Sequence, residues 1–596
     1  MPRSSFDGYR VVVQAPDAVP VTAFRIDGGG VVGGPAGDRR DVTDEEPAPD
    51  RSTVLLLGAL SASGLRAAQD SLAVLFPVPG DAGRRSRRGV DDVDADAVLV
   101  DVAVGEEEAA VLLLEQDGLY AWCVPDELAA ASATSSRAGR RGDDERVLRF
   151  TLRPGDDAAA SAGGAGRRSD DDAPRRRDGR LSRLLRGAVR VHVLRFLADS
   201  ITAAAVGFQE RRVRQGLVHI RCQHPEHWSP AGSAAFTNPA AFTIPAAFTN
   251  PAAFTNPAAF PESIGGTDRT ECTALRDRAE RVLLLVHGTF SSTLGSYGGL
   301  AATAEGRALL DRLLGGYDAI LGFDHPTLSA DPAVNAAELA AALHDLLGSD
   351  PLPVIDVLAY SRGALVARSL LDMVLGGPVP MARPGHVVYV GATHAGTVLA
   401  DPANWLELAD LYTTLAADAC DAMGALAGEL GTAIATGAVH GLGVLVKHVA
   451  VQVTRADAVP GLAAMTPSNA FLRELDDCTR RRAGGAARRF TVSSDFEPVP
   501  GGGPMHRRLA LALADGLVDA LMRVPNDLVV DTASMRALDG IDGAAGGSLD
   551  LGRDDGVHHL AYFADPRVCR AIGEWLLGGP VGAGQVGTAV HGGRGT

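Results

Sequence analysis

Lysine and cysteine are both scarce in this chain of 596 residues. Lys447 is the single lysine, and arginine supplies the rest of the 56 basic residues. The cysteines are widely separated and none forms a CxxC pair, which excludes a disulfide-rich scaffold and favours a reducing compartment. We therefore expect a cytoplasmic protein. The six cysteines are Cys123, Cys222, Cys272, Cys420, Cys478 and Cys569.

Net positive charge, phosphate-binding motifs and long uninterrupted apolar runs are also missing. A net charge of -17 argues against a nucleic-acid partner. The chain has no Walker loop, no GxGxxG after a strand and no N-terminal apolar core of signal-peptide length. The most apolar long stretch begins at Gly431, but glycines, histidines and Lys447 interrupt it. We expect a buried or lid helix there, or a helix on a membrane surface, in preference to a transmembrane span.

Composition divides the chain into six parts. Short apolar runs separated by Gly, Pro and Asp, such as the run at 52–60, predict strands in the N-terminal quarter. A hexapeptide repeat from Ala234 carries one Pro per unit, which excludes a continuous helix. We predict a β-rich or α+β domain at 1–155, a disordered charged linker at 156–185, a partly helical segment at 186–230, a Pro/Phe repeat linker at 231–265, a main domain at 270–580 with an insertion at about 400–487, and a flexible tail at 581–596.

The main domain alternates apolar strands with helical stretches. The strands read RVLLLVHG, YDAILGF, PVIDVLAY, HVVYVGA and RRFTVSS, and helical patterns such as NAAELAAALHDLLGS lie between them. Continuous apolar strands separated by helices are typical of a mostly parallel sheet that is covered on both faces. Sites in such sheets form at the carboxyl ends of the strands.

A serine stands at one of these strand ends, in the sequence AYSRG. The general pattern is G-x-S-x-G, a tight strand-to-helix turn that presents the serine hydroxyl above the sheet. Small residues are needed on either side because strand and helix pass close together; here they are Ala359 and Gly363. Ala359 departs from the usual glycine, but alanine is small enough for the turn. Ser361 is therefore a candidate nucleophile.

A nucleophilic serine also needs hydrogen-bond donors for the oxyanion that its attack creates. The amide of Arg362, directly after the serine, is one candidate donor. The loop His287-Gly288-Thr289 follows an earlier strand, and the Thr289 amide is the second. Gly288 permits a tight turn, and we expect His287 to support this loop in preference to acting as a base.

The general base and its acid partner are expected later in the chain, in the order serine, acid, histidine. Asp527 lies in a turn within NDLVV, with Asp531 and Asp495 as alternatives whose other role is helix capping or surface. The base is His559 or its neighbour His558, within GVHHLAYF.

The motifs VHGT, AYSRG, NDLVV and GVHHLAYF resemble those of α/β-hydrolases of the bacterial lipase group, over about 281–578. The segment GLAAMTPSNAFLREL, from Gly461, is similar to one that precedes the sixth strand in such lipases. The resemblance implies an α/β-hydrolase fold with a helical cap at about 400–487 and the N-terminal domain added to it. It implies Ser361, Asp527 and His559 as a catalytic triad that needs no cofactor.

The expected activity is hydrolysis of carboxylic esters through an acyl-enzyme. An apolar cap favours an apolar ester or a lipid, and a mobile amphipathic lid there predicts peripheral membrane contact. Two alternatives stay open: an amidase or peptidase on the same triad, and a scaffold protein that uses the fold to bind partners, whose identity the sequence does not give.

Two further sets of residues have side chains suited to a pocket or a metal site. His394 follows a strand and either lines the pocket or packs in the core. Cys222, His224 and His227 have spacing that suits part of a zinc site, but no fourth ligand is evident, so we predict no metal.

Overall fold

The computed structural model describes about three fifths of the chain, and the predicted linkers at 156–185 and 232–265 and the tail at 581–596 lie outside the described residues. The described residues are 3–6, 10–17, 19–27, 30–32, 51–68, 70–76, 97–126, 145–153, 187–197, 210, 215–231, 279–348, 352–375, 382–422, 441–447, 449–450, 459–482, 487–497, 522, 524–538, 545–553 and 557–578.

The N-terminal half forms two antiparallel sheets. The first has the order β1-β2-β7-β10, and the second has β4-β3-β6-β11-β8-β9, with β5 paired to β11. A core of mainly Val, Leu and Phe side chains lies on the inner faces of both sheets. The strands are β1 Arg3–Phe6, β2 Val11–Gln14, β3 Val21–Asp27, β4 Gly30–Val32, β5 Arg66–Ala67, β6 Asp70–Phe76, β7 Val98–Gly105, β8 Glu108–Gln116, β9 Leu119–Cys123, β10 Glu145–Leu152 and β11 Gly187–Leu197.

One local prediction for this half is wrong. The run at 52–60 is not a strand but part of helix α1, Arg51–Ala62. It is rich in Leu and Ala, which favour helix, and Leu56 and Leu60 bury one face at helical spacing. The segment 186–230, predicted as partly helical, contributes β11 to the N-terminal sheet, where apolar residues alternate with Arg and His. Its later part contributes two strands, at 216–219 and 229–230, to the sheet of the other half of the chain.

In the part of the chain that the structure describes, the C-terminal sheet has eight strands in the order β13-β12-β15-β14-β16-β17-β18-β19. β12 pairs antiparallel with β15, and the pairs from β15 through β19 are parallel. Because β12 and β13 precede 270, the sheet begins earlier than the predicted boundary. The strands are β12 Gly216–His219, β13 Ser229–Pro230, β14 Arg281–Val286, β15 Ala319–Asp324, β16 Val354–Tyr360, β17 Arg383–Val390, β18 Arg489–Asp495 and β19 Ala545–Arg553.

Helices cover both faces of this sheet, and separate apolar clusters lie on its two sides. The α-helices are α2 Thr293–Tyr297, α3 Ala304–Gly316, α4 Pro332–Leu347, α5 Gly363–Arg368, α6 Trp405–Ala422, α7 Pro460–Ala463, α8 Ala470–Arg482, α9 Thr532–Met535 and α10 Pro566–Leu577. A π-helical turn, Ser369–Val374, continues α5, and 3-10 turns lie at Pro225–His227, Gly298–Ala302, Val398–Ala400, Pro402–Asn404 and Tyr562–Ala564. No described helix has both the length and the hydropathy to cross a membrane.

The insertion between β17 and β18 joins the two halves of the molecule. Its helix α6 lies against β9, the last strand of the N-terminal sheet. The Trp122 amide donates to Asp410 Oδ1 at 2.7 Å, and the Tyr120 amide donates to Thr414 Oγ1 at 3.1 Å. The Trp122 indole donates to Thr413 Oγ1 at 2.8 Å. An edge strand leaves backbone groups unpaired, and here helical side chains satisfy them.

Candidate active site

Ser361 lies in the turn between β16 and α5. Its φ of 54° is in the left-handed region, which is uncommon for a residue with a side chain. Gly363 makes this turn feasible, because a Cβ there would lie 2.3 Å from the Val286 carbonyl oxygen. Ala359, the other small residue, is fully buried in β16. The strained turn raises the serine side chain at the carboxyl ends of the strands.

Gly288 brings the neighbouring loop against the serine. A Cβ at this position would stand 2.8 Å from Ser361 Cβ and 3.2 Å from the Tyr360 ring. The absence of a side chain therefore lets the loop after β14 approach the serine within contact distance.

Ser361, His559 and Asp527 form a continuous chain of hydrogen bonds. His559 Nε2 lies 3.0 Å from Ser361 Oγ, and His559 Nδ1 lies 2.7 Å from Asp527 Oδ2. Almost 200 residues separate the serine from the histidine in sequence, so the fold itself brings them together. Each of the three side chains is at most 1% exposed.

Asp527 is held by more than the histidine. Its Oδ1 accepts hydrogen bonds from the amides of Val529 and Val530, at 3.1 and 2.8 Å. Its Oδ2 accepts a third from the Tyr562 hydroxyl at 2.9 Å. These donors satisfy both oxygens of a carboxyl group that is fully buried. Tyr562 was not predicted as part of the site, although it stands three residues after His559 in the same motif.

The alternatives for acid and base lie elsewhere. Asp531 caps α9 by accepting from the Ser534 amide at 2.7 Å, and Asp495 accepts from the Asn526 amide at 3.2 Å. His558 points to the cap, where its Nε2 lies 3.0 Å from Asp418 Oδ2. Of the two adjacent imidazoles, His559 is therefore the one that reaches Ser361.

His287 is a fixed part of the loop beside the serine. Its Nε2 accepts from the His325 amide at 3.2 Å, so Nδ1 carries the proton and donates to the Gly288 carbonyl at 2.9 Å. Burial lowers the pKa of His287 to about 3. A neutral imidazole locked in one tautomer holds the loop through these two hydrogen bonds.

The same loop carries Thr289 and Phe290. Thr289 lines the pocket in front of Ser361. Phe290 has a φ of 61°, and its amide donates to Thr327 Oγ1 at 3.2 Å. Thr327 is held in turn by Glu210, whose carboxylate accepts from the Thr327 and Leu328 amides at 2.8 Å each. Glu210 lies in a segment with no recognisable motif, so the sequence offered no signal for this support.

The Arg362 side chain is buried below the serine turn. Its guanidinium donates to the carbonyls of Ala330 and Gly461 and to Asn335 Oδ1, at 2.5, 3.2 and 3.0 Å. Burial lowers its pKa to about 10, with Asp331 and Glu210 opposing the shift. The side chain ties the turn to α4 and to the cap, while its amide stays next to Ser361 in the chain.

The pocket in front of Ser361 is small and mostly apolar. Its walls include Leu408 and Tyr412 of α6, Met465, and Val529. The Tyr412 hydroxyl interacts with Ser361, and burial raises the pKa of this phenol. No motif marks Tyr412 in the sequence, and only the fold brings it to the serine.

The remaining candidates are not among the side chains that line this pocket. His394 is fully buried and packs edge-on against Tyr389, with ring centroids 4.7 Å apart; burial lowers its pKa. Cys222 Sγ lies 4.0 Å from His227 Nδ1. Among the described residues, no group of three His, Cys, Asp or Glu side chains is arranged to hold a metal ion.

The strand order, the antiparallel β12 and the strained serine turn after β16 define this half of the chain as an α/β-hydrolase fold. The chain belongs to the family described as "Domain of unknown function (DUF7379)", whose model matches residues 249–577. A second model, "Domain of unknown function (DUF7362)", matches residues 36–196. No curated protein matches the sequence.

Several solved bacterial hydrolases are similar to about half of the chain. The mature lipase BlEst2 of Bacillus licheniformis is 17% identical, and the match covers 48% of this chain and 88% of that one with a TM-score of 0.27. Lipase 1 of Pelosinus fermentans is 14% identical over 50% and 99%, with a TM-score of 0.31. The serine hydrolase CCSP0084 of Cycloclasticus zankles is 14% identical over 50% and 90%, with a TM-score of 0.29.

Proposed function

We propose that the protein is a serine hydrolase that cleaves carboxylic esters, with Ser361 as nucleophile, His559 as general base and Asp527 as its acid partner. The observation that carries this proposal is the chain of hydrogen bonds from Asp527 through His559 to Ser361. The pocket and the rest of the fold, without these three side chains, would not indicate a nucleophilic serine.

The first half of the reaction forms an acyl-enzyme. His559 Nε2 takes the proton of Ser361 Oγ as the oxygen attacks the ester carbonyl. Asp527 fixes the tautomer of the imidazole and stabilises the imidazolium that forms. The proton then passes from His559 to the alcohol oxygen, the bond between the carbonyl carbon and that oxygen breaks, and the acyl group remains on the serine.

The second half uses water in place of the serine. His559 takes a proton from water, the hydroxide attacks the acyl carbon, and the proton returns to Ser361 Oγ as the carboxylic acid leaves. In both halves the amides of Thr289 and Arg362 are the donors assigned to the oxyanion. The position of Thr289 at the pocket and of Arg362 next to the serine supports this assignment.

The apolar pocket walls favour an acyl group over a charged substrate. The amide-cleaving alternative uses the same residues, and the scaffold alternative needs none of them. Hydrolysis of p-nitrophenyl butyrate by the full chain and by Ser361→Ala separates the proposed hydrolase from the scaffold alternative. We expect turnover by the wild type only, and equal background rates for both proteins would overturn the proposal.

Parallel assays with butyryl anilide complete the test. A rate on the anilide that equals or exceeds the rate on the ester assigns the triad to amide hydrolysis and contradicts the ester preference proposed here.

A further inference from the structure

Helix α6, which lies in the insertion between β17 and β18, closes the pocket in front of Ser361. Ser361 is 1% exposed. Leu408 and Tyr412 stand one helical turn apart on α6 and face the serine from the same side. Tyr412 also meets Phe290 edge-on, with ring centroids 4.9 Å apart. The wall opposite the nucleophile is therefore formed by large side chains of one helix.

Over its described side chains, residues 405–418, this helix is buried on nearly all sides. From Trp405 to Asp418, every residue except Glu407 is buried. A lid that opens toward solvent or a membrane has a polar outer face, which this stretch lacks. α6 is thus an internal helix between the two halves of the chain.

The outer side of α6 is held by the N-terminal sheet. Asp410 and Thr414 are four residues apart on the helix, and they accept from the amides of Trp122 and Tyr120, two residues apart on β9. One turn of helix and two residues of strand cover similar distances, so the two sets of groups match. Moving α6 outward would leave these buried amides without acceptors, which is costly.

A second cap segment is held in the same way. Residues 441–447 are helical, and a Cβ on Gly441 would stand 2.7 Å from Phe290 Cα. On the other side, the Lys447 ammonium donates to the Ser63 carbonyl, just after α1. Both cap segments are therefore packed between the loop beside Ser361 and the N-terminal half.

We infer that the N-terminal half fixes α6 as a rigid wall of the acyl pocket, so that Leu408 and Tyr412 restrict the substrates to esters of short acyl chains. This inference rests on the proposed function and narrows it. An acyl chain of two to four carbons occupies the space between Ser361 and the wall, whereas a longer chain meets side chains whose helix has no room to retreat.

The acyl-length profile of the full chain tests the inference. We expect kcat/KM for p-nitrophenyl butyrate to exceed that for the octanoate by at least about tenfold, because each methylene that does not fit costs discrimination of this order. A ratio under ten overturns the inference and leaves the proposed function standing. If no ester of any length is hydrolysed, the proposed function itself fails.

A matched pair of variants tests the wall directly. Leu408→Ala shortens a side chain that lines the pocket, and Leu411→Ala shortens one on the same helix that is equally buried but outside the lining. We expect Leu408→Ala to raise the octanoate-to-butyrate ratio at least about threefold, and Leu411→Ala to leave it within about twofold of wild type. An unchanged ratio in the first variant, or an equal rise in both, contradicts the inference.

A separate assay tests whether α6 is rigid. With tributyrin as substrate, we expect the rate to follow the dissolved concentration smoothly through the solubility limit. A jump in rate when droplets appear shows that α6 opens at an interface, and that result overturns the inference even if short chains are preferred.

Discussion

Ser361, His559 and Asp527 have a chemical counterpart in the N-terminal half, where Ser71, His192 and Glu115 are also joined by hydrogen bonds. Ser71 Oγ lies 2.9 Å from His192 Nδ1, and His192 Nε2 lies 3.3 Å from Glu115 Oε2. The second set is buried as well, with each side chain at most 5% exposed. The imidazole is reversed, since it meets the serine through Nε2 in the first set and through Nδ1 in the second.

The two sets differ in the backbone conformation around the serine. Ser361 stands in a left-handed turn before a helix, beside the glycine loop of Gly288. Ser71 lies within the regular strand β6, on a sheet face, where it pairs with β3. A strand amide engaged in a ladder is not aimed at a neighbouring oxyanion, so Ser71 has a partner histidine but not the donors that attack on a carbonyl requires.

The carboxylates differ too. Asp527 receives two backbone amides and a tyrosine hydroxyl. Glu115 is paired with Arg190, whose Nη1 lies 2.7 Å from its Oε1. Burial by itself raises the pKa of Glu115, but the hydrogen bond and charge of His192 and the charge of Arg190 hold that pKa below its ordinary value. A serine, a histidine and a carboxylate thus form a candidate reaction centre in one place and a buried structural network in the other.

Removing each serine hydroxyl should give the largest difference in kcat between the two sets of residues. We expect Ser361→Ala to lower kcat on p-nitrophenyl butyrate by on the order of 10⁵-fold or more, since loss of a nucleophilic serine removes the covalent route. Ser71→Ala should leave kcat within about twofold, because none of the three residues of its network lines the pocket. A large loss of kcat in a folded Ser71→Ala protein contradicts the distinction.

Replacing each carboxylate by its amide should give the next largest difference in kcat. We expect Asp527→Asn to lower kcat by on the order of 10⁴-fold, because an amide fails to hold the imidazole in the required tautomer. Glu115→Gln is the matched change in the other set and should leave kcat nearly unchanged. Equal effects of the two substitutions on kcat would mean that the carboxylates do not differ in role.

Ser71→Ala should change the free energy of unfolding, although it should leave kcat nearly unchanged. Ser71→Ala leaves the buried His192 Nδ1 without its partner, which should lower the free energy of unfolding by about 1–3 kcal/mol. Ser61→Ala, an exposed serine on α1, serves as control and should change it by less than about 0.5 kcal/mol. Urea titration measures both, and equal values for the two variants count against a structural role for Ser71.

The pH dependence of stability should show the smallest effect. Because the folded-state pKa of Glu115 is lower than its ordinary value of 4.5, the ionised carboxylate stabilises the fold above that pH. This contribution is lost as the pH falls through the folded-state pKa. The difference in unfolding free energy between wild type and Glu115→Gln should therefore be largest near neutral pH and shrink below pH 4.5. A difference that grows on acidification contradicts the assigned pKa direction.

The sequence predicted the C-terminal sheet well because its signals are local. The apolar runs at 281–286, 319–324 and 354–360 are strands β14, β15 and β16 as expected. The serine turn was predictable for the same reason, since Ala359 and Gly363 are required by close packing within five residues. Asp527 and His559 came from motif resemblance, and their distance to Ser361 came only from the fold.

The sequence did not predict the interactions that depend on distant pairing. The contacts of Trp122 with α6 join residues nearly 300 positions apart, and no periodicity encodes them. Neither the helix at 52–60 nor β11 was recognised, because a short apolar run is compatible with both structures until its neighbours are known. Tyr412, Glu210 and the cap contact of His558 were missed for the same reason.

The most direct measurement of the central claim is the site of modification by diisopropyl fluorophosphate, a small reagent suited to a closed pocket. After incubation of the full chain and proteolysis, peptide mass spectrometry should find one phosphoryl adduct, on Ser361, and none in Ser361→Ala. The account is contradicted if the folded protein carries the adduct on Ser71, or if Ser361 stays unmodified while the ester is turned over.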